Sequence, residues 1–263
     1  TTGEKEAMLY EERHPKYVEP QNPILFLPWD EHKFIYQSQR DGYNHLYLFD
    51  LSQGMMHPIE TYGPTKLMIP YTQITQGEWL VQEILGFKEK TQEVIIMSTE
   101  QSPLQSNAYA VSLKDGKRHL IGAAEGVHHV QLSGSGRYVI DNYTSHATAR
   151  NIRILSTSGK GEGHEMLSAT NPMDAYNMPE IILGSIKAAD GKTDLYYRLI
   201  KPVNFDATKK YPAVIYVYGG PHAQMVKNTW QGELRRWEMY MAQHGYVVFV
   251  MDNRGTSNRG AEF

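Results

Sequence analysis

Short runs rich in apolar, β-branched and aromatic residues, each closed by a turn signal, occupy most of the first 170 positions. Runs at 33–38 and 45–50 flank the turn dipeptide Asp41-Gly42, and further runs follow at 93–98 and 107–112. Short runs of this kind, bounded by Gly, Asp and Ser, predict antiparallel strands joined by tight turns. We therefore predict a mainly β fold for this part of the chain.

One pattern recurs along these strands. The hairpins that end at Gly54, Gly116 and Gly159 each place a strand, a polar pair and a glycine before one more short strand. Irregular repeats of four antiparallel strands, roughly 40–50 residues long, are typical of propeller blades. A plain antiparallel sandwich would give similar strands but no repeated four-strand unit. We predict that residues 1–180 form a partial β-propeller of about three four-stranded blades.

The pattern changes after residue 180. Two strands at 181–187 and 194–201 flank the hairpin turn Ala189-Asp-Gly191. An uninterrupted apolar and aromatic run at 214–218 then stops at Gly219-Gly-Pro221, which predicts a strand buried on both faces.

A helix at 232–244 and a second buried strand at 246–251 follow this turn. The order of strand, glycine turn, helix and strand is typical of the start of an α/β domain. We predict that residues 181–263 are the N-terminal portion of an α/β domain, truncated after its first strands and helix.

Composition narrows the possible functions. The 263 residues carry a formal net charge of -3 and contain no cysteine. Disulfides, thiolate metal sites and a cysteine nucleophile are therefore excluded, and the charge does not indicate a nucleic-acid partner. No window approaches the apolar length of a membrane helix, so we expect no membrane span in this segment.

The histidines and glycines do not form a recognisable metal or cofactor motif. Eleven histidines are present, but none lies in an H-E-x-x-H motif, and His128 and His129 are neighbours on a predicted strand and must face opposite sides. The glycines at 159–163 lack the spacing of a phosphate-binding loop and indicate a hairpin tip instead. We expect neither a metal ion nor an organic cofactor.

Two motifs carry a resemblance to a known family. The first combines Tyr211-Pro-Ala-Val-Ile-Tyr-Val-Tyr-Gly-Gly-Pro-His222 with Asp252-Asn-Arg-Gly-Thr-Ser-Asn-Arg-Gly260, and the second is Gln39-Arg-Asp-Gly-Tyr-Asn-His-Leu-Tyr47. Together they resemble the dipeptidyl peptidase IV-like serine peptidases of the prolyl oligopeptidase clan, bacterial type. The likeness runs from about residue 30 onward and is strongest at 36–50 and 193–263.

The resemblance implies a fold and an activity. The chain would supply the last propeller blades and the start of the α/β-hydrolase domain of a serine exopeptidase. Such an enzyme releases dipeptides from peptide N-termini and prefers Pro or Ala at the second position. The resemblance also implies a periplasmic or secreted protein and a homodimeric parent enzyme.

Site residues follow from the same resemblance. Tyr218, directly before Gly-Gly-Pro, matches the family tyrosine whose hydroxyl helps to stabilise the oxyanion of the tetrahedral intermediate. In the loop 252–260, the resemblance gives Arg254 an architectural role, in which it pairs with a carboxylate. Without the resemblance, Tyr218 would be read as the end of a buried strand with a satisfied hydroxyl.

The sequence departs from the family in one respect. A hydrolase of this fold needs a G-x-S-x-G elbow followed by Asp and His, and no G-x-S-x-G occurs in the 263 residues. We therefore expect the nucleophile, acid and base beyond Phe263 and predict that this chain is inactive alone. The pair Glu11-Glu12 does not match the family's substrate-binding glutamates, and we interpret it as solvated.

Two alternative functions stay open at this point. The chain is also compatible with a non-catalytic propeller module that binds a peptide or protein partner. Within the enzyme class, a tripeptidyl or acylaminoacyl peptidase is the nearer alternative.

Overall fold

The structure is a computed structural model that describes residues 7–19, 22–57, 65–161, 163–233 and 235–263. Its described elements are mainly β-strands, as predicted. Three four-stranded antiparallel sheets follow one another along the chain, and a four-stranded mixed sheet comes last.

The first four-stranded sheet is interrupted by an excursion. Strands β5 and β6 leave it and form a separate three-stranded sheet with β1, in the order β1-β6-β5. The strand order of the four-stranded sheet is β2-β3-β4-β7. The seven strands are β1 (Ala7–Met8), β2 (Leu25–Leu27), β3 (Asp30–Ser38), β4 (His45–Asp50), β5 (Met55–His57), β6 (Thr65–Met68) and β7 (Tyr71–Gln73).

The second and third sheets are simple antiparallel meanders, in which each strand pairs with the next one along the chain. The second contains β8 (Val81–Lys88), β9 (Glu93–Ser98), β10 (Asn107–Ser112) and β11 (Arg118–Ile121). The third contains β12 (Val127–Leu132), β13 (Tyr138–Thr144), β14 (Asn151–Ser156) and β15 (His164–Ser168).

The last sheet has the order β16-β17-β19-β18, and only its β18–β19 pair is parallel. The elements of this mixed-sheet unit, residues 180–263, are β16 (Glu180–Lys187), β17 (Asp194–Lys201), β18 (Ala213–Tyr216), α1 (Arg236–Gln243) and β19 (Val247–Met251). Short 3-10 turns lie at Leu51–Gln53, Glu89–Thr91 and Trp230–Glu233.

The three antiparallel sheets stack face to face in series, and β9 shows why. Its residues 94–98 are all buried, because successive side chains point to opposite faces and both faces are covered. Val94 and Ile96 pack in one core with residues of the first sheet, such as Ile35. Ile95 packs on the other side in a core that includes Val139 of the third sheet. A series of stacked sheets is a propeller arrangement and not a two-sheet sandwich.

The predicted repeat is correct for two sheets and wrong in detail for one. Gly116 and Gly159 adopt φ angles of 69° and 67°, and each precedes the fourth strand of its own sheet. Gly54 has a φ of -69°, and the strand after it belongs to the separate three-stranded sheet. The fourth strand of the first sheet is β7, because the chain makes the β5–β6 excursion first.

The strand before the Gly-Gly-Pro turn also differs from its prediction. It was expected to be buried on both faces, yet β18 lies at the edge of the mixed sheet and pairs only with β19. The side chain of Ile215 is 68% exposed, and Val217 is exposed as well. One face of β18 is therefore exposed to solvent. The hairpin of β16 and β17 lies where it was predicted.

The predicted helix at 232–244 is shorter in the structure. A 3-10 turn occupies Trp230–Glu233, residue 234 lies outside the described residues, and α1 covers Arg236–Gln243. Ala242 of α1 packs with Val248 and Val250 of β19 and with Ile200 of β17. This small core fixes α1 on one face of the mixed sheet.

His45 is a buried histidine that the fold keeps neutral. Its Nε2 lies 2.9 Å from the carbonyl oxygen of Gly77, which can only accept, so Nε2 carries the proton and donates. Its Nδ1 lies 3.0 Å from Oγ1 of Thr75 and accepts from that hydroxyl. Burial lowers the pKa of His45 from its ordinary value of 6.5.

This lowered pKa predicts an acid-dependent loss of stability. The unfolded chain takes up the proton at a higher pH than the folded chain, so stability present above pH 6.5 is lost as the pH falls towards the folded pKa. We expect His45→Gln to flatten this part of the stability–pH curve in urea unfolding. Equal pH dependence of the His45 variant and the parent would contradict this assignment.

Candidate functional site

The loops that leave the carboxyl ends of β18 and β19 lie together at one edge of the mixed sheet. This edge is where α/β proteins place their ligands. The loop after β18 contains Tyr218, and the loop after β19 is 252–263. Both loops contact the antiparallel sheets. In the loop after β18, the backbone N–H of Asn228 donates to the carbonyl oxygen of Leu104. In the loop after β19, the backbone N–H of Ala261 donates to the carbonyl oxygen of Gly42.

Tyr218 presents its phenol outward. The side chain is 56% exposed, and its hydroxyl makes no hydrogen bond within the described parts of the chain. The glycines after it shape the turn: Gly219 has a φ of 72°, which favours glycine, and a Cβ at Gly220 would lie 2.7 Å from Cε1 of Tyr218. The ring therefore lies against the backbone of Gly220, with its hydroxyl available to a ligand.

The far end of this loop is fixed by buried charges. Asp252 follows β19 and accepts hydrogen bonds from the amide nitrogens of Met225, at 2.7 Å, and Val226, at 3.1 Å. Burial raises the pKa of Asp252, although these two hydrogen bonds oppose the shift. Arg198 of β17 donates to the carbonyl oxygen of Met225 at 2.8 Å and to Glu238 of α1 at 2.9 Å.

Arg254 pairs with a carboxylate, as the resemblance implied. Its guanidinium donates to Oδ2 of Asp190, in the turn between β16 and β17, and to Oγ1 of Thr193 at 2.7 Å. Hydrogen bonds from Thr193 and the backbone, together with Arg254, lower the pKa of Asp190. The pair attaches the loop after β19 to the hairpin, so Arg254 has an architectural role.

A chain of side-chain amides bridges the antiparallel sheets and the mixed-sheet unit. Oγ of Ser106 donates to Oε1 of Gln82 at 2.6 Å, and Nε2 of Gln82 donates to Oδ1 of Asn258 at 2.9 Å. Nδ2 of Asn258 donates to Oε1 of Gln224 at 2.7 Å, and Nε2 of Gln224 donates to the carbonyl oxygen of Pro103 at 2.8 Å. We call these five residues the amide bridge.

Two cavities meet at the amide bridge, and Gln82 and Asn258 line both. The larger, of about 620 Å³, lies between strands β8 and β12 and the loop that carries Gln224 and Lys227. The smaller, of about 560 Å³, is lined by residues of the segment 14–19, by the loop 255–263 and by His222. Tyr218 lies four residues before His222, so the exposed phenol belongs to the loop that borders this cleft.

Other candidate residues do not form a reactive group. Nδ1 of buried His128 lies 2.8 Å from Oδ1 of Asp141, while His129 is exposed on the opposite face, as predicted. The segment 159–163, apart from residue 162, which lies outside the described residues, joins β14 to β15 and precedes no helix. Within the described ranges, no cluster of three or more His, Asp or Glu side chains could hold a metal ion. In the same ranges, no helix is both long and apolar enough to cross a membrane.

The interpretation of Glu11-Glu12 as a solvated pair is wrong for Glu12. This residue is half-buried, and its Oε1 accepts a hydrogen bond from Oγ of Ser38. Ser38 is 26 residues away in the chain, so no local pattern indicates this contact. Glu11 forms an ion pair with Arg13.

The sequence reasoning also missed Glu238 and the amide bridge. A signal for Glu238 was present, because it shares one face of α1 with Met241 and Ala242, three and four positions later. A carboxylate on the apolar face of a helix indicates a buried partner. For Gln82 and Asn258, 176 residues apart, the sequence contains no comparable signal.

Comparisons with known proteins agree on one family. The family model described as the N-terminal region of dipeptidyl peptidase IV matches residues 1–150. Mouse dipeptidyl peptidase 8 is 30% identical over 262 residues, which cover 89% of this chain and 28% of the relative. The chain therefore spans little more than a quarter of the length of this curated relative.

Solved structures give the same result. A Bacteroides ovatus protein described as a dipeptidyl aminopeptidase IV superposes with a TM-score of 0.82 at 49% identity, covering 95% of this chain and 36% of that one. Porphyromonas gingivalis dipeptidyl peptidase 4 superposes with a TM-score of 0.75 at 28% identity, covering 91% and 31%. The family model matches more than half of the residues of this chain, and the stacked antiparallel sheets and the turn motifs agree with it. This chain therefore belongs to the dipeptidyl peptidase IV family.

Proposed function

We propose that this chain is part of a serine exopeptidase that releases dipeptides from peptide N-termini, with Pro or Ala at the second position. In this proposal residues 1–180 are the last propeller blades. Residues 181–263 are the start of an α/β-hydrolase domain, whose nucleophile, acid and base come from a longer chain. The parallel β18–β19 pair joined through α1 supports the second assignment.

The observation that carries the proposal is the exposed phenol of Tyr218, on the loop whose residue His222 lines the smaller cavity. During acyl transfer, the serine oxygen attacks the carbonyl carbon of the substrate, and negative charge develops on the carbonyl oxygen. A preorganised O–H donor stabilises that charge more strongly than it stabilises the neutral carbonyl. Tyr218 has the exposure that this role requires, its hydroxyl makes no hydrogen bond to the described residues, and its loop is fixed at Met225 by Asp252 and Arg198.

The two cavities that meet at the amide bridge, together called the cleft, are suited to a peptide. Their shared wall is made of side-chain amides, which can donate to and accept from a peptide backbone. Cavities of about 620 Å³ and 560 Å³ are large enough for several residues of an extended chain. A metal ion or an organic cofactor is not part of the proposed reaction.

The proposal is tested with Gly-Pro p-nitroanilide on this chain and on the longer protein that contains it. We expect release of p-nitroaniline by the longer protein alone, because the serine lies outside the 263 residues. N-acetyl-Gly-Pro p-nitroanilide is the matched control and should not be cleaved, since an exopeptidase of this kind requires a free amino terminus. A longer protein that cleaves neither substrate would support a non-catalytic binding module, and equal cleavage of both would indicate an endopeptidase.

A further inference from the structure

The backbone at Met225 is held from two sides. Its carbonyl oxygen accepts from the guanidinium of Arg198 at 2.8 Å, and its amide nitrogen donates to Asp252 at 2.7 Å. The next amide nitrogen, that of Val226, donates to the second oxygen of Asp252 at 3.1 Å. Three hydrogen bonds to charged groups, all inside the protein, therefore fix two consecutive peptide units.

The guanidinium of Arg198 is itself fixed. The side chain is 1% exposed and its partner Glu238 is fully buried. Glu238 also accepts from the amide of Arg235, at the start of α1. A planar guanidinium can contact a carboxylate and a carbonyl at the same time, which the single ammonium of a lysine does less well. The Met225 carbonyl thus has one defined position relative to β17 and α1.

The loop that carries Tyr218 lies between two fixed segments, the paired end of β18 and the backbone at Met225. On one side β18 is paired with β19 up to the Tyr216–Val250 position. On the other side, the bonds to Met225 come from Asp252, directly after β19, and from Arg198. The loop that carries Tyr218 is therefore attached at both ends to the carboxyl end of one strand.

We propose that Arg198 and Asp252 form a clamp that positions the hydroxyl of Tyr218 for the oxyanion, so that Arg198 is a positioning residue of the peptidase reaction. This inference rests on the proposed function. Nothing in the clamp contacts the substrate. Its effect on the rate passes through the placement of the phenol, and an error of about 1 Å in such a group can cost up to about 100-fold in rate.

A double-mutant cycle in the longer, active protein tests the clamp. Arg198→Lys keeps the charge beside Glu238 but weakens the bond to the Met225 carbonyl. We expect it to lower kcat about tenfold with little change in KM, because misplacement affects the transition state more than binding. In a Tyr218→Phe background the same substitution should have no further effect, since there is no hydroxyl left to position.

The matched control is Arg118→Lys. Arg118, on β11 of the second sheet, makes a bidentate pair with Glu100, at 2.5 and 2.6 Å. We expect unchanged kcat for this control in both backgrounds. Asp252→Asn is a second probe of the clamp, because one end of its side-chain amide would place an N–H group against a backbone N–H. We expect this variant to lower kcat in the parent background and not in the Tyr218→Phe background. If Arg198→Lys does not fold, the result for Asp252→Asn decides the test.

The outcomes are distinct. Losses from Arg198→Lys or Asp252→Asn that are equally large with and without the Tyr218 hydroxyl would overturn the clamp and leave the proposed function standing. Unchanged kcat in folded Arg198→Lys would also overturn it. Unchanged kcat in Tyr218→Phe alone would overturn the oxyanion role on which the clamp depends.

Discussion

Under the proposed function, Tyr218→Phe is expected to reduce the kcat of the longer protein by about 10²–10³-fold, the usual cost of removing one oxyanion donor. The substitution removes one oxygen and keeps the ring that lies against Gly220. Substrate binding should change little, because the ground-state carbonyl is a weaker acceptor than the oxyanion. Steady-state kinetics with Gly-Pro p-nitroanilide separates kcat from KM.

The control for this prediction is another exposed tyrosine. Tyr138 lies on β13 and is 48% exposed, so Tyr138→Phe removes an equivalent hydroxyl away from the cleft. The kcat of the Tyr138→Phe variant should equal that of the unsubstituted longer protein. A Tyr218 variant that raised KM and left kcat unchanged would show that the hydroxyl binds the substrate without stabilising the transition state.

Arg198→Met is expected to destabilise the mixed-sheet unit by about 3–5 kcal/mol, because it leaves the carboxylate of Glu238 buried without its partner. The reason is the burial of both side chains, 1% and 0% exposed, which prevents water from replacing the guanidinium. The loss should appear as faster amide hydrogen exchange in β19 and α1, where local opening free energies are measured directly.

Two companion variants make this prediction specific. Lys201 is on the same strand and pairs with Glu180 at a more exposed position, so Lys201→Met should cost only about 0–1 kcal/mol. The double variant Arg198→Met/Glu238→Leu should recover most of the lost stability, because an apolar pair leaves no uncompensated charge. Equal costs for Arg198→Met and Lys201→Met would show that burial does not determine the contribution of this ion pair.

The sequence predicted those parts of the fold that local signals determine. The hairpin of β16 and β17 follows from the two strands that flank the turn at Asp190-Gly191. The propeller and the family follow from repeated strands and from the Gly-Gly-Pro turn. Each of these depends on residues close together in the chain.

The errors concern contacts between distant residues. An apolar run predicted burial of β18 on both faces, but burial of a strand's side chains requires elements packed over both faces of the sheet, and Ile215 is exposed among the described residues. Glu12 looked solvated because its partner Ser38 belongs to another strand. Tyr218 was the one catalytic residue that the sequence reasoning named; the clamp and the amide bridge that surround its loop depend on pairs far apart in sequence.

The amide bridge has a consequence for protein engineering. Primary amides pair only when oxygen faces nitrogen, so the four hydrogen bonds from Ser106 to Pro103 define one alignment of the two halves. Chimeric proteins that exchange propellers between family members would have to transfer compatible side chains at 82 and 106 together with those at 224 and 258. A chimera without them would keep both folded halves and lose the shared wall of the cleft.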